Sequence, residues 1–377
     1  MFPQLSIGVA KAFAIATLTT FTTTATINQP SYASDINFLG IRLTDAPKVV
    51  TLTAKDFFNQ GLDKQKKGDL QGAIAAYTEA IRLNPNYALA YINRGVARAK
   101  LGDNKGAIED YNQALRINPN YAQAYYNRGV VRADLGDQKG AIEDYNQALR
   151  INPNYALAYY NRGNARADLG DKKRAMEDFN QALRIDPNYA EAYTNRGVVR
   201  AQLGDKKGAM EDFNQALRID PNDGQTYYNR GNARVHFGDN KGAMEDFNQV
   251  LRINPNYAEA YGNRGIVRAK LGDNKRAMED YNQALRINPN YAIAYSNRGL
   301  ARVHFGDNKG AMEDYNQALR INPNDAIAYY NRGIVRAKFK DNNGAITDLQ
   351  QAADIFKQQG KIEDYQKTLE IINQLQK

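Results

Sequence analysis

Eight prolines, Pro85, Pro119, Pro153, Pro187, Pro221, Pro255, Pro289 and Pro323, stand 34 residues apart. The segments between them are near copies: GDNKGAMEDFNQ at 238–249 returns as GDNKGAMEDYNQ at 306–317. A fixed period of this length points away from one globular core and toward supersecondary units that bury their apolar faces by stacking. Nine units fill the chain: 54–87, 88–121, 122–155, 156–189, 190–223, 224–257, 258–291, 292–325 and 326–359.

Within the unit 122–155, apolar residues return at helical spacing in two runs. The first holds Ala124, Tyr125, Val131 and Leu135; the second holds Ala141, Ile142, Tyr145, Ala148 and Leu149. Between them, Gly136 suits the left-handed end of one helix and Asp137 the cap of the next. Asn152 and Pro153 are expected as the cap and first position of the following helix. The small residues Gly129, Ala141 and Ala148 let the paired helices approach. Each unit is therefore predicted to be a helical hairpin, giving an all-α solenoid.

Tyr125, Gly129, Ala141, Tyr145, Ala148 and Pro153 fall at the spacing of the tetratricopeptide repeat, which the chain resembles over residues 54–359, about four fifths of its length. The resemblance implies a right-handed superhelix whose first helices line a concave, protein-binding groove. Two residues depart from that pattern, Arg128 and Arg132, where it has leucine and tyrosine. Residues 360–377 place Ile362, Tyr365, Leu369 and Ile372 on one stripe, as expected of a capping helix.

The triplet Asn-Arg-Gly occurs eight times. On a helical wheel the arginine falls within the apolar arc, where an unpaired charge is very costly. Its expected partner is Asp144. Repeats two to nine keep arginine and aspartate together; the first repeat has Gln60 and Lys64 in the arginine columns and Ala76 in the aspartate column. The neighbouring glutamate is not tied in this way, since the ninth repeat has Thr347 there but keeps Arg332 and Asp348. Arg128 with Asp144 and Arg162 with Asp178 are thus expected as structural ion pairs. An alternative reading of the arginine columns, contact with nucleic acid, requires charges exposed along a track; no nucleic-acid partner is expected.

The asparagine is present in all nine repeats: Asn59, Asn93, Asn127, Asn161, Asn195, Asn229, Asn263, Asn297 and Asn331. It is a mediocre helix former, but its carboxamide offers both a donor and an acceptor to a peptide backbone. The column resembles the asparagine ladder of the O-linked N-acetylglucosamine transferase superhelix, which implies a grip on extended peptide segments. The alternative is a spacer that bonds the neighbouring repeat. The Asn-Arg pair also resembles chaperone-binding clamps. Those use lysines beside the asparagine, whereas the adjacent column here reads Phe58, Ile92, Tyr126, Tyr160, Thr194, Tyr228, Gly262, Ser296 and Tyr330.

The wheel puts Tyr126, Tyr160, Tyr228 and Tyr330 on the groove side. It also puts there a variable column that reads Lys66, Lys100, Asp134, Asp168, Gln202, His236, Lys270, His304 and Lys338. Partner specificity is expected in these columns. His236 and His304, the only histidines, are two repeats apart, too far to share a metal ion.

The chain has no cysteine, which removes disulfides and thiolate chemistry. There is no clustered histidine, phosphate-cradling loop or nucleophile elbow, so catalysis, metal, cofactor and small-molecule substrate are not expected. The net charge of +9 is interspersed: repeat 88–121 carries five basic and three acidic residues, and repeat 190–223 five and six. That is the pattern of a solvated surface. Residues 1–33 combine Lys11, a short apolar stretch and small residues ending at Ala33, the layout of a cleavable leader rather than a membrane span. Export is expected, with cytoplasmic or organelle targeting as the alternative, and 34–53 as a linker. Proteins or peptide segments are the expected partners. Binding in the groove and scaffolding of folded subunits on the outer surfaces both remain open.

Overall fold

The computed structural model describes residues 52–376. The expected leader and nearly all of the linker lie outside them. The described residues form helices joined by short turns, with no strand among them. They fall into two units divided after Leu169. The first unit holds α1 (Ala54–Lys66), α2 (Leu70–Leu83), α3 (Ala88–Lys100), α4 (Asn104–Ile117), α5 (Ala122–Asp134), α6 (Gln138–Ile151) and α7 (Ala156–Asp168). The second begins with α8 (Lys172–Ile185), α9 (Ala190–Gln202), α10 (Lys206–Ile219), α11 (Gly224–His236), α12 (Asn240–Ile253) and α13 (Ala258–Lys270). It continues through α14 (Asn274–Ile287), α15 (Ala292–His304), α16 (Asn308–Ile321), α17 (Ala326–Lys338), α18 (Asn342–Gln358) and α19 (Ile362–Leu375). None of these helices is long and apolar enough to cross a membrane.

Local chemistry sets each hairpin. Gly136 ends α5 at φ 86°, a conformation that costs a side-chain-bearing residue energy. The Asp137 carboxylate then accepts from Gly140 N at 2.9 Å, capping α6. The same cap recurs along the chain, at 2.9 Å from Asp103 to Gly106 and from Asp341 to Gly344, and at 3.1 Å from Asp171 to Arg174 and from Asp273 to Arg276. The ninth repeat departs from the pattern at this turn: Lys340 takes φ 62° where its counterparts are glycine. Lys340→Gly should raise the urea midpoint. The left-handed strain removed, ~1–2 kcal/mol, exceeds the ~0.5–1 kcal/mol of added unfolded-chain freedom. An unchanged or lower midpoint contradicts this account.

Paired helices meet where the first carries glycine and the second a ring. A Cβ on Gly129 would lie 2.8 Å from Tyr145 Cε1, and one on Gly265 2.6 Å from Tyr281 Cε1. Ala141, Tyr145, Ala148 and Leu149 are buried there, with Tyr126 and Ala158 completing a core that spans adjacent repeats.

Two expectations are corrected. Asn152 is not an N-cap: it terminates α6, and its side chain accepts from Asn154 N at 3.1 Å in a tight turn. Pro153 lies in that turn, and α7 starts at Ala156 behind Tyr155. Leu135 is not core but 58% exposed, because the chain is already turning out of the helix there. At the C-terminus α19 packs on α18 and buries Thr368 and Ile372, while Ile362, at its first position, is exposed.

Within each unit the first helices of successive repeats touch one another, and the second helices make no comparable contact. Crowding on one side and spreading on the other makes the first-helix face the inner face of the stack.

Candidate functional site

The arginines are turned into the stack. Arg128 lies over the Tyr125 ring, 5.5 Å from its centroid. It donates Nε and Nη2 to the two oxygens of Asp144, at 3.0 and 2.6 Å. Arg132 reaches the same carboxylate at 3.0 Å. Asp144 is buried, so the site is a buried carboxylate between two guanidiniums, one of them bidentate, the geometry that best offsets desolvation. In the first unit Arg94 and Arg98 hold Asp110 in the same way. In the second, Arg196 and Arg200 hold Asp212, and the pattern runs on to Arg332 and Arg336 on Asp348. Glu143 is exposed. Of the fourth repeat's pair, Arg162 lies over Tyr159 and donates to Asn146 at 2.6 Å, and Asp178 is buried on α8; the two belong to different units. The arginine columns present no exposed track of the kind phosphate contact requires.

A third partner escaped the sequence reading. Arg128 Nη1 donates to Asn112, on the second helix of the preceding repeat. Arg196 does the same to Asn180 at 2.7 Å, Arg264 to Asn248 at 2.7 Å, and Arg332 to Asn316 at 2.7 Å. Arg94 uses Thr78 Oγ1 at 3.0 Å. Each arginine thus fastens its own hairpin and the one before it. Among the described residues no hairpin precedes the first, and there Gln60 stands in the column that reaches back. The signal was visible as a near-constant asparagine in the second helix.

The tyrosines assigned to the groove need correction. Tyr126, Tyr160 and Tyr228 are buried. Tyr126 packs between Tyr145 and Tyr155, with ring centroids 6.0 and 4.8 Å away. Burial pushes its phenol up to about 12, an effect partly offset by a hydrogen bond from Asn161. Tyr330 is half-buried against the cluster of Ala326, Ala352 and Phe356. A wheel for one helix allows one buried arc, but a stacked first helix has two, facing its partner and the next repeat.

The asparagines divide. Asn195, Asn229 and Asn263 are buried, which corrects their expected placement as open groove amides. Asn263 donates to Tyr228 Oη at 3.0 Å and Asn232 Oδ1 at 2.8 Å, both in the preceding repeat. Asn161 likewise donates to Tyr126 Oη at 2.9 Å. Asn93 and Asn297 bond carbonyls of their own helices, Leu89 O at 2.8 Å and Ile293 O at 2.9 Å. Asn59 is exposed, and Asn93, Asn127, Asn161, Asn297 and Asn331 are half-buried.

Lys100, Asp134, Asp168, His236, Lys270, His304 and Lys338 each occupy the last position of a first helix. Lys100 is half-buried and the others are exposed. A carboxylate at a helix C-terminus opposes the helix dipole, so Asp134 and Asp168 are not explained by local stability. Among the described residues, no group of three or more histidine, aspartate or glutamate side chains is placed to hold a metal ion.

Stacked hairpins, glycine–ring contacts and inward-facing arginine staples define an α-solenoid repeat protein. A TPR repeat model matches residues 65–102, 97–136, 131–170, 163–204, 237–272, 267–303 and 305–338, and a tetratricopeptide repeat model matches 190–223. The chain belongs to the tetratricopeptide repeat family, and as such is a protein-interaction module.

Among curated proteins, no sequence matches. Among solved structures, the fold is similar to that of the APC/C hetero-tetramer Cut9–Hcn1: 18% identity, TM-score 0.55, covering 75% of this chain and 54% of that one. It is also similar to pilF of Pseudomonas aeruginosa, at 20% identity and TM-score 0.51, covering 56% of this chain and 95% of that one. MamA matches at 27% identity and TM-score 0.41 over 45% of this chain and 92% of its own.

Proposed function

We propose that this protein is a non-enzymatic receptor for extended peptide segments, held on the first-helix face. The observation that carries the reading is the exposure of Ile293, Leu300 and Ile327 on α15 and α17, 39–51% accessible. Ile293 and Leu300 flank the partly exposed Asn297 at helical spacing on α15. Aliphatic side chains beside carboxamides suit an extended chain, whose own side chains alternate with hydrogen-bonding backbone. Exposed positions on the second helices, by contrast, are largely charged, as with Lys275, Glu279 and Arg286 on α14.

A second reading, a scaffold for folded subunits, is supported by the hairpin turns. In the second unit Leu203, Leu271, Phe305 and Phe339 are 50–57% exposed at equivalent positions. Two variants of the full chain separate the readings against peptides selected from a random dodecapeptide display library. Asn297→Ala with Ile327→Ser should weaken the selected peptides about tenfold or more, the combined worth of one hydrogen bond and one buried aliphatic side chain. Leu271→Ser with Phe305→Ser should leave them unchanged. The reverse order, or a library that yields no binder, favours the scaffold.

We also propose export, with cleavage after Ala33. Intact-mass measurement of the native protein should give a chain beginning at Ser34; a chain retaining Met1 overturns both cleavage and export.

A further inference from the structure

We propose that the cleft between α13 and α15 sets partner specificity. It takes an aliphatic side chain of an extended segment that carries a carboxylate beside it. This deepens, and rests on, the reading that segments lie on the first-helix face. The cleft encloses about 500 Å³, between Ile266 and Lys270 on one helix and Asn297, Leu300, Val303 and His304 on the other. That is within the range of built ligand pockets.

Leu300 is the unusual wall. It is 51% exposed, whereas the residues at its position in the fifth and sixth repeats, Val198 and Asn232, are buried. An aliphatic side chain left half in water at the mouth of a cavity gains by covering, and a ligand side chain of its own kind covers it best. The half-buried Asn297 spends its amide N–H on Ile293 O, leaving its carbonyl oxygen for the backbone N–H of an entering strand.

Charge supplies the second requirement. The ionisable side chains lining the cleft, apart from Tyr281, are Lys270 and His304, and no carboxylate is among its walls. The same column carries Asp134 and Asp168 in the third and fourth repeats, so a basic residue here is a local choice and not a demand of the fold. From the sixth repeat onward it reads His236, Lys270, His304 and Lys338. The Lys270 ammonium beside an apolar patch, with no carboxylate to offset it, selects the opposite sign in the partner.

The test pans the random dodecapeptide library against the full chain and against two variants. Selected peptides should pair Leu, Ile or Met with Asp or Glu within two residues. Leu300→Asp should weaken them about tenfold or more, the equivalent of one buried aliphatic side chain. Leu300 is half exposed, so the fold should tolerate the change, and circular dichroism checks that it does. Lys270→Glu with His304→Glu should keep the aliphatic preference but exchange Asp and Glu for Lys and Arg in the selected set. Peptides that bind both variants as they bind the parent overturn the cleft while leaving the first-helix face as the receptor. Selected peptides with no acidic preference, or none altered by charge reversal, overturn the electrostatic half. A library that yields nothing removes the peptide reading and the cleft with it.

Discussion

Asp144→Ala should cost ~3–5 kcal/mol, the range for breaking a buried ion pair from one side. The carboxylate accepts from Arg128 twice and forms an ion pair with Arg132. Without it, Arg128 keeps a tyrosine face and the Asn112 amide but no counter-charge. Arg132 is more exposed and borders Asp137 at 4.0 Å, so it can turn toward water. The larger share of the loss therefore falls on Arg128. The first repeat indicates the remedy, since Gln60, Lys64 and Ala76 occupy the three positions there. Copying that set as Arg128→Gln, Arg132→Lys and Asp144→Ala should restore part of the denaturation midpoint, the link to Asn112 being lost. A double-mutant cycle on Arg128 and Asp144 provides the check: strictly additive losses would mean the two do not interact.

Replacing Asn229 and Asn263 together with alanine should destabilise the chain by roughly 2–4 kcal/mol, because buried polar partners are left unmatched. Loss of Asn263 strands the oxygens of Tyr228 and Asn232 in a buried seam. Loss of Asn229 removes the acceptor of Gln225 Nε2, a 3.2 Å contact, but also removes a buried amide donor that has no partner. Asn263 thus carries most of the effect. The same change at Asn297 and Asn331, whose side chains remain partly in solvent, should be close to neutral. If the buried pair instead gains stability from the better helix propensity of alanine, these asparagines are not spacers, and a peptide-binding ladder through the middle repeats returns as the explanation. Thermal and urea midpoints, with helical ellipticity as control, decide between the two.

The hairpin, its glycine turn and its aspartate cap were legible because each depends on residues close in sequence. The Arg128–Asp144 pair was legible for a different reason: nine copies in one chain let two columns be compared, and the first repeat changes both together. What the sequence did not disclose lies between repeats. Tyr126 looks groove-facing on the wheel of its own helix; Tyr145 of the paired helix, with Tyr155 and Asn161 beyond it, encloses it. Asn112 belongs to a near-constant asparagine column of the second helices, but the column alone does not say which neighbour it serves; its partner lies one repeat further on. Leu300 could be read as an ordinary apolar residue; the cleft beside it is a property of two stacked helices.

The arginine staple has a direction. It reaches back to the hairpin before it, and all its parts lie within one second helix and the hairpin that follows. Copying any interior stretch of 34 residues in register would add one complete staple and sever none, and deleting one would leave its neighbours able to join. The first hairpin is built differently, with Gln60 in the arginine position. A gene built this way can lengthen or shorten by whole periods without passing through an unfoldable intermediate. The near-identity of GDNKGAMEDFNQ and GDNKGAMEDYNQ is what such a history would leave behind. The number of repeats is then the quantity most easily changed by selection.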